Sequence, residues 1–328
     1  MGRYIIRRLL AVALLMVVIL VTTFGIFFAI PSDPALRSCG RYCSPEKIAQ
    51  VRHKLGTDKS IYEQFWLYSK GLVQGRDFGE GTEINHCPAP CLGVSFKTDI
   101  PVRESIEQNF PVTFSIAIGA AVLWLIAGIT TGVISALKPR SKLDRGIVAV
   151  ATASLSLPTQ FVGLMLLYVV CAKGGVQFPK YVPFADNPLL WAKNLLLPWI
   201  TLAFISSAIY TRLTRSQLVE VMHEDYIRTA RGKGMTERRT VYKHGLRAAL
   251  PPMIVIFGLD IGALLGGAII TERIFGMPGL GTLAVKSIND VDLPVILGVT
   301  LFGAFIVLMA NLVVDVLYAL TDPKITFS

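Results

Sequence analysis

Charge is scarce in this chain: only 16% of its 328 residues are Asp, Glu, Lys or Arg, against roughly 25% in an average soluble protein. That shortage argues against a disordered, collagen-like or disulfide-scaffold chain. Histidine is rarer still. The four, His53, His86, His223 and His244, form no metal-ligand pair at helical spacing. There is no Gly-x4-Gly-Lys-Ser/Thr loop, so the chain is not expected to hold ATP by that device. No serine sits in a Gly-x-Ser-x-Gly elbow. Catalysis by this chain alone is therefore not expected. Internal repeats and low-complexity segments are also missing.

Apolar residues are abundant. They make up 53% of the chain, and the mean hydropathy is +0.57. A spanning helix needs about 20 such residues at 1.5 Å each. Six stretches qualify: Leu9 to Ile30, Val112 to Leu137, Ile147 to Ala172, a short Leu195 to Thr211, Pro252 to Ile270, and Val295 to Leu320. The first follows Arg3, Arg7 and Arg8 like a signal peptide. It exceeds a typical signal core and Ile30-Pro31-Ser32-Asp33 lacks a small-x-small cleavage site, so it reads as a retained span. The expected fold is all-α, with six transmembrane helices.

Charge placement sets the expected orientation. Segments 1–8, 138–146 and 212–251 carry 3, 4 and 9 Lys/Arg against 0, 1 and 4 acids. Segments 31–111, 173–194 and 271–294 carry 10, 3 and 2 against 10, 1 and 3. The basic segments alternate, as six spans with both termini in the cytoplasm require. The formal net charge of +10 is thus a topology signal of a multi-pass protein in a lipid bilayer, and no nucleic-acid partner is expected. Three regions follow: an N-terminal tail and first span (1–30), an extracytoplasmic subdomain (31–111), and a five-helix core (112–328) with a long cytoplasmic loop at 212–251.

Four of the five cysteines fall in that subdomain, as Cys39-x3-Cys43 and Cys87-x3-Cys91. An oxidising compartment favours two disulfides, with three possible pairings. The competing reading is a four-thiolate metal site with His86 as an extra ligand. Cys171, near the end of the third span, is expected to pack as a small apolar residue.

An ion-coupled carrier usually places charges inside the bilayer. Spans one to four contain none. Asp315 lies near the end of the sixth span. Asp260 lies deeper, about nine residues into the fifth. It is the one residue expected to line a polar path or bind a coupling ion, unless it makes an interhelical hydrogen bond facing a neighbouring subunit.

The 212–251 loop contains Asp225, Tyr226, Arg228, Thr229, Ala230, Lys233 and Gly234, followed by Thr236 to Arg247. The spacing predicts a polar helix, a glycine break and a second basic helix. Tyr226, Ala230 and Lys233 fall near one face. A short rigid helix of this kind suits docking into a partner's groove, and the same basic loop could instead lie on anionic lipid.

Asp225-Tyr-Ile-Arg-Thr-Ala-Arg-x-Lys-Gly234, then His244-x-Leu-Arg247, resembles the loop of ABC-transporter permeases of the dipeptide/oligopeptide class. Other stretches match in order: Arg7-Arg8-Leu9-Leu10, Pro31-x-Asp33-Pro34-Ala35, Leu55-Gly56-x-Asp58, Gly75-Arg-Asp-Phe-Gly79, Thr271-Glu272-x-x-Phe275-Gly-x-Pro278-Gly-Leu-Gly281, and Asn311-x3-Asp315-x2-Tyr318-Ala-x2-Asp322-Pro323. The cysteine-bearing stretch Glu80 to Gly93 departs from the class pattern. The resemblance implies a type I-like importer permease, a non-catalytic subunit forming half of a translocation path. The implied partners are a second homologous permease, two ABC ATPase subunits that bind ATP and Mg, an extracytoplasmic solute-binding protein and a peptide-like solute. This chain itself would bind no cofactor or metal. Residues Asp225 to Gly234 would form the ATPase-coupling helix, and Glu272, Phe275, Pro278, Gly279 and Gly281 an outer gate or scoop. The alternatives are an ion-coupled secondary carrier and a non-transporting scaffold or receptor.

Overall fold

Inside hydrocarbon every backbone polar group must be satisfied within the chain, which leaves the helix as the natural element for these apolar runs. The computed structural model describes residues 2–29, 44–46, 52, 59–78 and 85–321. Helix α1 (Gly2–Ala29) is followed by α2 (Ile61–Gln74), a two-stranded antiparallel ribbon of β1 (Arg76–Phe78) and β2 (Asn85–Cys87), and α3 (Val102–Leu137). Then come α4 (Lys142–Ser156) and α5 (Thr159–Leu167), the latter running on as a π-helical turn at Tyr168–Lys173. Helices α6 (Pro188–Val221) and α7 (Asp225–Gly232) lead to α8 (Glu237–Leu265), which contains a π-turn at Thr240–Gly245. The chain ends in α9 (Ile269–Ile274), α10 (Leu280–Asp290) and α11 (Leu293–Thr321).

Among the described residues five helices, α1, α3, α6, α8 and α11, are each long and apolar enough to cross a membrane, and the bent pair α4–α5 makes a sixth if counted as one span. Their contacts fix the directions. Along α3 and α6, Gly119 meets Trp199, Gly128 meets Tyr210 and Gly132 meets Thr214, so these helices run parallel. Along α8 and α11, Gly258 meets Val314 and Gly262 meets Ala310, so these run antiparallel. A Cβ on Gly132 would stand 2.5 Å from that of Thr214, and one on Gly258 only 1.7 Å from Val314 Cγ2. Both seams use a small-x3-small spacing that lets backbones approach closely.

Arg8 Nη1 lies 2.8 Å from Asp315 Oδ2, joining the start of α1 to the far part of α11. The antiparallel α8–α11 pairing puts that junction at the end of the bundle that carries α7. At the opposite end Phe24, Tyr68, Leu297 and Leu301 pack α2 across α1 and α11. Ser95 Oγ and the Phe96 amide both donate to Asp292, tying the outer segment to the start of α11.

Three expectations on span geometry need correction. The stretch Ile147 to Ala172 is not one straight helix: it bends by 98° between α4 and α5. Pro158 is the cause, because a residue preceding proline is pushed out of the helical region, and Leu157 sits at φ −92°, ψ 128°. Helix α4 starts beside α3's last turns, and Gly163 on α5 reaches Thr201, near the middle of α6, and Ile274 on α9. The fourth span is not short: α6 has 34 residues. The fifth does not run to Ile270: α8 stops at Leu265, and Gly267 at φ +136° turns the chain into the separate α9.

Candidate functional site

Helix α7 is short and strongly two-faced. Ile227 and Ala230 are buried, at 0% and 8% exposure, while Asp225, Tyr226, Arg228, Thr229 and Lys233 are exposed. The inner residues lie against this chain itself, so the free face belongs to the others. Arg228 pairs loosely with Asp225 at 3.6 Å, both in solvent. Gly234 takes φ +78°, a left-handed position that ends the helix at little cost.

Behind α7 the loop is firmly braced. Arg231 donates to both carboxylate oxygens of Glu237, at 3.1 and 2.7 Å. Val133, Ala136, Leu218 and Val241 form one apolar cluster joining α3, α6 and the root of α8. A second brace was not foreseen from sequence. Arg215 on α6 grips Asp144 on α4 through Nε at 2.7 Å and Nη2 at 2.9 Å. Ser135 on α3 and the Arg140 amide donate to the same carboxylate. Asp144 is the one acid in the basic segment 138–146, the only signal that could have drawn attention to it. The root of α8, on which α7 sits, is thereby tied to the ends of α3, α4 and α6.

The opposite end holds a buried carboxylate. Glu272 is fully buried. Its Oε1 accepts from the Thr113 hydroxyl at 2.7 Å, and its Oε2 from the Thr282 amide at 2.8 Å. Thr113 in turn accepts from the Leu280 amide at 2.8 Å. The carboxylate thus sits at the N-terminus of α10, where free amides and the helix dipole favour negative charge. Burial raises its pKa above the ordinary glutamate value, and the hydrogen bonds oppose that rise. Phe275 and Met277 are also fully buried. A Cβ on Gly279 would stand 2.3 Å from the Glu272 carboxyl carbon, so this turn closes only around glycine. Glu272, Phe275, Gly279 and Gly281 come together here with Pro278 in the connecting turn. Thr113 was missed because it reads as an ordinary residue at the start of an apolar run.

Asp260 is half-buried on α8 and accepts from the Tyr210 hydroxyl at 2.9 Å. Its hydrogen bond is interhelical, as one reading expected, but the partner is α6 of the same chain. Of the cysteines, Cys87 and Cys91 form a disulfide with Cα atoms 5.5 Å apart, so neither cross-links to the first cluster. Cys39 and Cys43 lie outside the described residues. His86 contacts Asp77 across the β-ribbon at 2.5 Å. Among the described residues no group of three His, Cys, Asp or Glu side chains is placed to hold a metal ion.

Residues 128–327 match the family model described as binding-protein-dependent transport system inner membrane component, and residues 1–117 match the model of the N-terminal part of that system's membrane component. The chain belongs to this family. It is a multi-pass membrane component of a binding-protein-dependent transport system. Among its relatives, the oligopeptide transport system permease protein AppB of Bacillus subtilis (strain 168) is 37% identical over all of both chains. The dipeptide transport system permease protein DppB of Escherichia coli (strain K12) is 34% identical over 99% of each. A solved structure of the MetNI methionine ABC transporter, inward facing, superposes with a TM-score of 0.56 at 16% identity, covering 67% of this chain and 97% of that one. At that identity the likeness speaks for the fold.

Proposed function

We propose that this chain is one of two permease halves in an ATP-driven importer of peptides. Both termini and α7 face the cytoplasm, as the alternating basic segments require. Of the two ATPase subunits, which bind ATP and Mg, one docks on the exposed face of α7 and the other on the partner permease. An extracytoplasmic binding protein delivers the solute at the end built from α2, α9 and α10, where the turn around Glu272 serves as an outer gate. The peptide class rests on the names of relatives that align over the full length of this chain.

The observation that carries the coupling role is the division of α7. Ile227 and Ala230 lock it to its own chain, and its polar outer face is left for a partner. Closure of an ATPase dimer would push α7, and the apolar cluster around Val241 together with the Arg215–Asp144 brace would pass that push to α3, α4, α6 and α8. The path would then alternate between sides. A second disulfide, Cys39–Cys43, belongs to the same reading: with Cys87 and Cys91 joined, the remaining pair in this segment is left to each other.

The test is uptake of labelled peptide into proteoliposomes containing the whole assembly. ATP inside the ATPase-facing compartment should drive uptake, vanadate should stop it, and a protonophore should leave it unchanged. Vanadate-resistant, protonophore-sensitive uptake would instead establish an ion-coupled carrier.

A further inference from the structure

Asp260 is an ionisable residue inside a span, and its setting is specific. On α8, Gly258 and Gly262 face α11, whereas Met253 and Phe257 face α6 and α3. Val255, Leu259 and Ala263 form the open stripe of the helix. By its helical position, Asp260 stands on the border between the packed side and that open stripe. Tyr210, fully buried, fixes one carboxylate oxygen through its hydroxyl. Trp124 stacks on Tyr210 with centroids 6.2 Å apart, and Phe257 meets Trp124 edge-on at 6.3 Å. The tyrosine is therefore held in place, and it aims the carboxylate. Among the described residues the other carboxylate oxygen has no hydrogen-bond partner, and no cation faces it.

A carboxylate beside an open stripe would be costly against lipid, and intramembrane acids almost always face protein or a wet cavity. The open stripe of α8 is thus the side that faces water or the other half of the pore. An anionic oxygen, oriented by a neutral donor and lacking a cation, is complementary to an ammonium group. We infer that Asp260 is a recognition point on the translocation path for the cationic amino group of the passing solute, with Tyr210 as its positioning residue. This inference rests on the permease reading above. It adds the ligand chemistry that the path selects.

The experiment uses the complete assembly in proteoliposomes, with Cys171→Ser to remove the free thiol and Ala263→Cys as reporter one turn from Asp260. Labelling rates are compared for a cationic and an anionic methanethiosulfonate reagent. The cationic reagent should react roughly tenfold faster, from the field of one nearby carboxylate. Asp260→Asn should bring the ratio close to that of an exposed reference cysteine, and Asp260→Glu should largely restore it. Tyr210→Phe should weaken the preference without abolishing it. A peptide with a free amino terminus should slow the labelling, and its N-acetylated analogue should not. No reaction with either reagent would show that lipid or a partner seals this face, and would overturn the inference. So would a ratio unchanged by Asp260→Asn, or a preference for the anionic reagent, which would reveal a cation supplied by a partner subunit. Uptake of peptide in the same vesicles separates the two layers. Loss of all ATP-driven uptake in the parent assembly refutes the permease reading; normal uptake with charge-blind labelling refutes this inference alone.

Discussion

Replacing Thr113 by valine keeps the shape of the side chain and removes one hydroxyl. That hydroxyl donates to Glu272 at 2.7 Å and accepts from the Leu280 amide at 2.8 Å. Glu272 and Leu280 are both fully buried, so water cannot take over either role. An orphaned buried amide costs about 1–3 kcal/mol, and a lost bond to a carboxylate costs about the same. The expected destabilisation is about 2–6 kcal/mol, or roughly 3–9 °C in melting temperature for a chain of 328 residues. Thr113→Ser, which keeps the hydroxyl, should lose much less. The assay is thermal unfolding of the purified protein in detergent, followed by tryptophan fluorescence. Because Thr113 and Glu272 share one bond, Glu272→Gln combined with Thr113→Val should cost less than the two single changes added together. A Thr113→Val variant that melts within about 1 °C of the parent would refute the idea that this network holds the outer turn.

Glu272 also carries a pH signature. Its folded-state pKa is raised by burial, so the folded state binds a proton more readily than the unfolded chain. Its contribution to stability is fully present below the ordinary glutamate value and declines as pH rises through the raised one. Melting temperature measured against pH should show this decline in the parent and lose it in Glu272→Gln. At the other end, Arg215→Met should cost about 3–5 kcal/mol by leaving Asp144 buried and unpaired; adding Asp144→Leu should recover part of it, read by the same melting assay. Ala230→Trp should displace α7 from its seat and abolish solute-stimulated ATP hydrolysis in the reconstituted complex while the spans still insert. Lys233→Ala should be mild there, because an exposed ion pair is worth only about 0–1 kcal/mol. Non-reducing mass mapping should find Cys39 joined to Cys43 and no free thiol in that segment.

Much of the architecture is legible in the sequence because the bilayer imposes it. Long apolar runs had to be helices, and the alternation of basic segments gave their directions relative to one another. The break at Pro158 lies inside a run that, taken whole, is long and apolar enough to read as one span. The Gly258-x3-Gly262 and Gly128-x3-Gly132 seams emerge only with the packed helices, because a spacing does not say which helix fills it. The polar network is harder. Glu272 falls in a segment whose composition suggests exposure, and only the approach of Thr113, 159 positions away, makes it buried. Asp144 likewise counts as an exposed acid until Arg215, 71 positions on, closes over it. Ala230 fell near the predicted docking face by periodicity, and its partners in the chain turned it inward.

The most direct measurement concerns the free face of α7. In the complete assembly, with Cys171→Ser, a photoactivatable group attached at Thr229→Cys should cross-link to an ATPase subunit, and the yield should change when ATP and vanadate trap the complex. The same group at Thr98→Cys, at the far end of the molecule, should never reach an ATPase. If Thr229→Cys cross-links only to lipid, or to nothing in an assembly that still transports, α7 is not the coupling element and the account of how ATP drives this permease is wrong.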